Sequence, residues 1–328
     1  MKSSFPLLIL AVAIAGAPAH AQVKLGQTTA AVFATVPEAR EILTSRDDFV
    51  QRMSPFDRAA RMKTDGEVSE AGFLRFVGEN LLAWNEAEKQ KISSAIEGIQ
   101  VELQALALPF PQQVWLIKTT GNEEGGAAYT RSNAIVFPEA DLTRAPANLQ
   151  KTIAHELFHI LSRANPELRE ALYGAIGFVQ CNEIEFPPGL QSRKLTNPDA
   201  PRNDHYIRLQ VGGEERWAVP ILVSRAEKYE VRRGGEFFNY LQLQFLVVER
   251  KEDAIKAVYE GNQPKFLGAQ PPANFFEQVG RNTGYIIHPE EILADNFALL
   301  VMHQRNLPSS GVIQKIEVVL KANRVSGP

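Results

Sequence analysis

The spacing of apolar residues divides the chain into a helix-rich first third and a mixed remainder. Apolar positions recur at helical intervals over 36–62, where Pro55 interrupts them, and again over 68–107. Within the second stretch Asn85 is a suitable N-cap, because a glutamate follows three residues later and an isoleucine-rich run comes next. We therefore expect residues 22–108 to form a helical N-terminal region packed against the rest.

After residue 109 the pattern changes to the alternation of apolar and polar residues that is typical of strands. Strands are predicted at 114–118, 127–137, 205–211, 215–224 and 236–249, and helices at 146–164, 289–303 and 309–322. Four prolines among polar residues predict a long loop at 186–204, and loops of this length inside compact domains are usually functional. The predicted fold class is α+β, with a small mixed sheet beside helices.

The first residues have the three features of a secretory signal in the expected order. Lys2 is followed by an apolar run over 7–17 and then by Ala19-His20-Ala21. A run this short cannot span a bilayer, which needs about 20 residues. We predict a signal peptide at 1–21, a secreted or periplasmic location, and no stable membrane span after its removal.

Composition narrows the possible classes of function. The formal net charge is −3, so no basic excess favours nucleic acid as a partner. Cys181 is the only cysteine, which excludes an intrachain disulfide. Phosphate-loop, dinucleotide-binding, C-x-x-C and G-x-S-x-G motifs are absent from the sequence.

The strongest chemical signal is an H-E-x-x-H motif at 155–159, on the helix predicted over 146–164. On a helical projection His159 lies about 40° and Glu156 about 100° from His155, while the aliphatic neighbours face the opposite side. Two imidazoles one turn apart can bind the same ion. Glu156 is the only charged residue between Thr152 and Leu161, whereas a solvated helix face would carry further charges.

These residue types predict a catalytic zinc site with one ion. Neutral imidazoles bind Zn²⁺, and a catalytic zinc has three protein ligands and a water molecule. The ion brings the pKa of that water to about 7, so Glu156 can act as general base toward it.

The third ligand has to come from elsewhere in the chain. Ser162 and Asn165 do not fit the H-E-x-x-H-x-x-G-x-x-H pattern, which excludes a third histidine just after the motif. On the later apolar helix, Glu291 and Asp295 lie one turn apart, and no Lys or Arg follows before Arg305. Buried carboxylates need a partner. We expect Glu291 to bind the metal and Asp295 to accept the N–H of His155.

With these residues the chain resembles the gluzincin metallopeptidases, which pair H-E-x-x-H with a downstream E-x-x-x-D. The resemblance implies a zincin-like domain at 109–328, in which a small sheet lies beside the active-site helix. It implies the same three ligands, with Glu156 as base and Asp295 supporting a histidine. Glu291 follows His159 by 132 residues. This interval is longer than in compact gluzincins, so we expect an insertion around 180–275.

The resemblance also implies a Tyr or His that stabilises the oxyanion, and an edge strand that pairs with substrate. The end of the polar loop offers Tyr206 as first choice and His205 as second, since loops preferentially carry functional residues. Residues 133–137, just before the metal helix, are the candidate for the edge strand.

The function expected from these observations is zinc-dependent hydrolysis of peptide bonds in a peptide or protein substrate. Two alternatives remain open: a zinc amidase acting on a non-peptide substrate, and a non-catalytic, zinc-stabilised binding protein. The presence of Glu156 argues against the second alternative, because a purely structural zinc site does not need a base.

Overall fold

The computed structural model describes residues 21–26, 28–268 and 271–324. Apart from Ala21, the predicted signal peptide lies outside these residues. The chain has a mixed α+β fold in which both helices and sheets are extensive. In the described part of the chain, no helix has the length and apolar character that crossing a membrane requires.

The first third contains more than the helices that the sequence predicts. Its elements are β1 (Gln22–Lys24), β2 (Ala30–Phe33), α1 (Val36–Leu43), α2 (Asp48–Arg52), α3 (Pro55–Arg61), α4 (Glu70–Glu79), β3 (Leu81–Leu82), α5 (Glu86–Glu97) and α6 (Gln100–Leu106). Pro55 begins a new helix at a position where its missing N–H is harmless. Asn85 and Glu88 form the expected reciprocal cap of α5.

The central part of the chain alternates between strands and helices. Its elements are β4 (Gln113–Thr119), β5 (Tyr129–Arg131), β6 (Ala134–Pro138), α7 (Pro146–Ala164), α8 (Pro166–Ala175), β7 (Phe178–Gln180), α9 (Pro188–Gln191), β8 (His205–Val211) and β9 (Glu214–Ser224). The single strand predicted over 127–137 is wrong. Residues 129–138 form a hairpin, which turns at Ser132 with a φ of +53°.

The last part completes a second sheet and adds the helices that close the core. Its elements are β10 (Leu241–Lys251), β11 (Ala254–Ala257), β12 (Tyr259–Glu260), β13 (Gln263–Pro264), α10 (Ala273–Val279), α11 (Pro289–Val301) and α12 (Ser310–Ala322). The strand predicted from 236 begins later, because a 3-10 helix occupies Phe237–Tyr240.

The first sheet has the order β1-β2-β4-β6-β5, and β3 also pairs with β4. The neighbours β2, β4 and β6 are parallel, whereas β1 and β5 run antiparallel at the two edges. Strands from residues 22–108 therefore pair with β4, so the sheet crosses the boundary expected at 108/109. The second sheet, β11-β10-β9-β8-β7, is antiparallel throughout and falls within the segment expected to be an insertion.

The first sheet is covered on both faces. One face packs with α7 and α5 through Val114, Leu116, Ile135 and Ile153, while the other face packs against N-terminal helices through Ile117, Val136, Phe49 and Phe73. Helix α7 is also buried against α11, where the rings of Phe158 and Phe297 have centroids 5.7 Å apart. The apolar face of α7 therefore fixes the direction in which its histidines point.

A buried cation attaches the long loop before β8 to this framework. Arg61 is 2% exposed, pairs with Asp57 and Glu124, and donates 2.9 Å to the carbonyl oxygen of Thr196. The amide of Thr196 donates 2.9 Å to Asp57. A buried charge is stable only when it is paired and hydrogen-bonded. These contacts therefore fix the position of the loop backbone at Thr196, just before the loop residues that approach α7.

Candidate metal centre

The polar face of α7 carries both histidines of the motif. Helix α7 begins at Pro146, and its residues from Ile153 to Ser162 are buried with the exception of His155, which is half-buried. The rings of His155 and His159 are nearly perpendicular, with centroids 4.8 Å apart. Because the two histidines are one helical turn apart, their imidazoles lie side by side on the same face of α7.

Helix α11 supplies the carboxylates that meet these imidazoles. It begins at Pro289, and the imidazole of His288 accepts the N–H of Glu290 as an N-cap at 3.1 Å. Glu290 and Glu291 are both buried in its first turn. Neighbouring residues project about 100° apart on a helix, so the two glutamates reach different ring nitrogens: Glu290 faces an Nδ1 and Glu291 faces the Nε2 atoms.

The ends of three side chains converge where α7 faces α11. Glu291 Oε2 lies 3.1 Å from His155 Nε2 and 3.7 Å from His159 Nε2. Ligands about 2.0–2.2 Å from a tetrahedral zinc ion are roughly 3.3–3.6 Å from one another, so both separations are close to those of a shared ion. The donor atoms of His155, His159 and Glu291 all lie within 4.8 Å of each other.

The other nitrogen of each imidazole is oriented by a carboxylate. His155 Nδ1 lies 3.1 Å from Asp295 Oδ1, and His159 Nδ1 lies 3.0 Å from Glu290 Oε1. When the imidazoles are neutral, each Nδ1–H can donate to its carboxylate, and each Nε2 then has a lone pair for an ion. His159 Nε2 is buried and has no hydrogen-bond partner, as expected for an atom whose partner is a metal.

Glu290 is itself fixed by neutral donors. Its Oε2 accepts hydrogen bonds from Ser162 Oγ at 2.8 Å and from Tyr173 Oη at 2.6 Å. Asp295 is held similarly by the hydroxyl of Thr283. Both supporting carboxylates therefore have defined orientations, which favour the Nδ1–H tautomer whenever the histidines are neutral.

Glu156 lies beside the three converging side chains. It is 4% exposed, and its Oε2 is buried without a partner. Burial and the negative charge of Asp199 raise the pKa of Glu156 to about 8. A buried carboxyl group with a free oxygen next to a potential ion is well suited to exchange a proton with a bound molecule.

The long loop contributes two residues that the sequence analysis missed. Asn197 donates 2.5 Å to Glu291 Oε1, so it fixes the oxygen that does not face the histidines. Asp199 accepts both the N–H and the hydroxyl of Thr130, at 2.7 and 2.6 Å, and forms a second cluster with Glu156 and His159. Loop length was the only sequence signal for these residues, because Asn and Asp are common in any loop.

The protein's own charges favour protonated histidines and ionised Glu291. Burial alone would lower the pKa of His159, but Asp199 and Glu291 outweigh it and raise it to about 9. The pKa of His155 rises well above its ordinary value, because hydrogen bonds to Asp295 and Glu291 overcome the effect of burial. Contact with both imidazoles lowers the pKa of Glu291 to about 2 despite burial.

The two residues predicted to stabilise the oxyanion are engaged elsewhere. His205 bonds Asp204 at 2.7 Å and Glu170 at 2.8 Å. Tyr206 stacks on Trp217 with centroids 4.7 Å apart, within a hydrophobic cluster of the second sheet. Neither side chain joins the group formed by His155, His159 and Glu291.

Tyr285 is a second tyrosine, besides Tyr173, that is close enough to the carboxylates of the site to feel their charges. Burial and the charges of Glu291 and Asp199 raise its pKa, although 40% of the residue's surface is exposed. Its amide donates 2.9 Å to Thr283 Oγ1, the hydroxyl that also bonds Asp295. The segment before α11 is therefore tied to the same carboxylate as His155. The segment around Tyr285 has no periodic pattern of apolar residues, so nothing in the sequence indicated that Tyr285 lies near the site.

Comparison with protein-family models, curated protein sequences and solved structures finds no match to this chain.

We predict that Glu290→Gln weakens zinc binding about 10- to 100-fold, because His159 loses an anionic acceptor at Nδ1 and becomes a poorer ligand. Competition with a fluorescent chelator measures the affinity. Glu277→Gln, on the exposed face of α10, is the matched control and should bind zinc as the wild type does. An unchanged affinity in Glu290→Gln would refute the supporting role of this residue.

We also predict that zinc binding to the chelator-stripped protein releases protons at pH 7. Ligation requires neutral imidazoles, whereas the pKa of His159 is about 9 and that of His155 is also raised. Zinc affinity should therefore fall as the pH drops below about 9. Calorimetric titration in buffers with different ionisation heats counts the protons. The exposed His303 provides a control. The His303→Gln variant should release as many protons on zinc binding as the wild type does. Heats that do not depend on the buffer would contradict the prediction.

Proposed function

We propose that this protein is a zinc-dependent hydrolase of peptide bonds, in which Glu156 is the general base. The observation that carries the proposal is the meeting of His155, His159 and Glu291 around one point, with the free oxygen of Glu156 beside them. Each histidine also has its own orienting carboxylate, as metal-binding histidines generally do.

The donor set fits zinc better than the harder cations. Two imidazole nitrogens and one carboxylate oxygen are the ligands of many catalytic zinc sites, whereas calcium and magnesium prefer oxygen alone. A zinc ion held there would supply a Lewis acid, which makes water acidic enough to react near neutral pH.

The protein's side chains account for the movement of protons. Glu156 can take a proton from the attacking water and later give it to the leaving amine. The pKa of about 8 belongs to the carboxyl under the protein's charges alone, and a neighbouring cation favours the ionised, basic form. The hydroxyl of Tyr285 is available to donate to the oxygen that becomes negative as water adds to the carbonyl carbon.

The fold around these residues supports a zincin-like arrangement. Strand β5 is the antiparallel edge of the first sheet and packs beside α7. Residues 133–137, which were expected to be the edge, instead lie mostly within β6 between β4 and β5. The amide of Thr130 in β5 donates to Asp199, and the amide of Ala127 donates to the carbonyl oxygen of Glu124. The backbone position just before β5 that is left for an extended substrate is therefore Ala128.

We predict that Glu156→Gln retains zinc but loses about 10²- to 10⁴-fold in the rate of peptide hydrolysis, because the amide cannot accept a proton from water. Cleavage of a fluorogenic peptide library, together with elemental analysis, tests this. The control is the wild type treated with chelator and then restored with zinc. Failure of the zinc-loaded wild type to cleave any peptide would refute the function. Retained cleavage by Glu156→Gln would refute only the role of Glu156.

We predict that Tyr285→Phe lowers kcat about 10²-fold, since it removes one donor to the developing oxyanion. Zinc content should not change, because the phenol is not one of the three ligands. Tyr206→Phe is the matched control, and its kcat should equal that of the wild type. Equal rates for Tyr285→Phe and the wild type would exclude this assignment. A lower kcat in Tyr206→Phe would instead support Tyr206, the residue chosen from the sequence, as the oxyanion donor.

A further inference from the structure

A cavity of about 420 Å³ opens beside the candidate metal centre. It is lined by the polar face of α7 and by Ala127 and Ala128, which come just before the edge strand β5. The α7 residues in this wall are Asn148, Lys151, Thr152, His155 and Glu156. Their spacing of three and four residues places them along one side of the helix. A molecule that reaches the histidines through this cavity therefore passes Lys151 one turn earlier.

Lys151 is a cation without a partner in this wall. It is exposed, and among the described residues it has no hydrogen-bond or ion-pair partner. Its charge slightly lowers the pKa of Asp295, to which the hydrogen bonds with His155 and Thr283 contribute more. The ammonium group is therefore free to pair with a ligand.

Arg144 adds a second, fixed cation to the same cavity. Its guanidinium lies 2.8 Å from Asp141 and donates 3.3 Å to Thr152 Oγ1, so it is held against α7. Asp141 offsets part of this charge. The two carboxylates that line the cavity, Glu156 and Asp295, lie on its less exposed side near the histidines. The outer part of the cavity is therefore positive although the whole chain has a net charge of −3.

We propose that this cavity binds a carboxylate of the substrate through Lys151, with Arg144 as the second cation. The inference rests on the proposed peptide hydrolysis and names its substrate class: peptides that carry an acidic group close to the cleaved bond. The carboxylate can belong to an acidic side chain or to the end of the peptide chain. Since both sources have the same chemistry, the experiment has to distinguish them.

The test compares matched peptides on the zinc-loaded protein. One pair differs as Glu against Gln beside the cleaved bond, and a second pair differs as a free against an amidated C-terminus. We expect the wild type to have the lower KM for the acidic member. Lys151→Met should reduce that preference about 1.5- to 5-fold, the range for an exposed ion pair, and Lys151→Glu should reverse it. Added salt should weaken the preference.

Lys315→Glu is the matched control, because it makes the same charge change on an exposed position of α12. It should keep the wild-type preference in both pairs. A preference confined to the Glu and Gln pair identifies a side-chain carboxylate, and one confined to the other pair identifies the chain terminus.

Two results would overturn the inference while leaving the proposed hydrolysis intact. One is equal KM values for both members of each pair in the wild type. The other is a Lys151→Glu variant that alters acidic and neutral peptides alike. If the wild type cleaves nothing, the proposed function fails, and fluorescence anisotropy with the same labelled peptides decides the binding question. Tighter binding of acidic members that Lys151→Glu abolishes supports the inference, and equal binding refutes it.

Discussion

The structure around α7 and α11 depends on the compensation of buried negative charge. Glu156, Glu290 and Glu291 are each at most 4% exposed, and removing a carboxylate from water without a partner is strongly unfavourable. In the first turn of α11 the compensating groups are the two imidazoles of α7, together with hydroxyls and one amide. The raised pKa values of His155 and His159 mean that protonated imidazoles balance these charges in the protein alone. Neutral imidazoles would balance them only together with a cation.

The long loop before β8 also takes part in the contacts with these buried charged groups. Asn197 and Asp199 contact the site, and Thr196 next to them is bound to the buried pair of Arg61 and Asp57. The N-terminal helices thus help to position the loop, even though they contribute no residue to the cluster itself. A segment without regular structure acquires a defined conformation because its backbone groups are bonded to buried charges.

The sequence predicts the parts of this arrangement that depend on local periodicity. The direction of His155 and His159 follows from the apolar stripe of α7, and the burial of α11 follows from its nearly continuous apolar content. The choice of Glu291 used the absence of a cationic neighbour, and the same reasoning could have singled out Glu290.

Contacts between distant segments lie beyond such reasoning, because nothing in the spacing of Asn197 or Tyr285 indicates which helix they face. The hairpin at 129–138 was missed for a related reason: its turn residue is a serine with positive φ, where glycine or asparagine would have been the expected signal.

The two halves of the candidate site lie far apart along the chain, at 155–159 and 290–295. Protein synthesis proceeds from the N-terminus, and segments can begin to fold as they emerge. The imidazoles of α7 therefore leave the ribosome long before the carboxylates of α11 are made. Until α11 is made, the candidate metal site is incomplete. A truncated chain that ends before α11 has His155 and His159 but lacks Glu291. The order of synthesis thus delays assembly of the candidate site until most of the surrounding core exists.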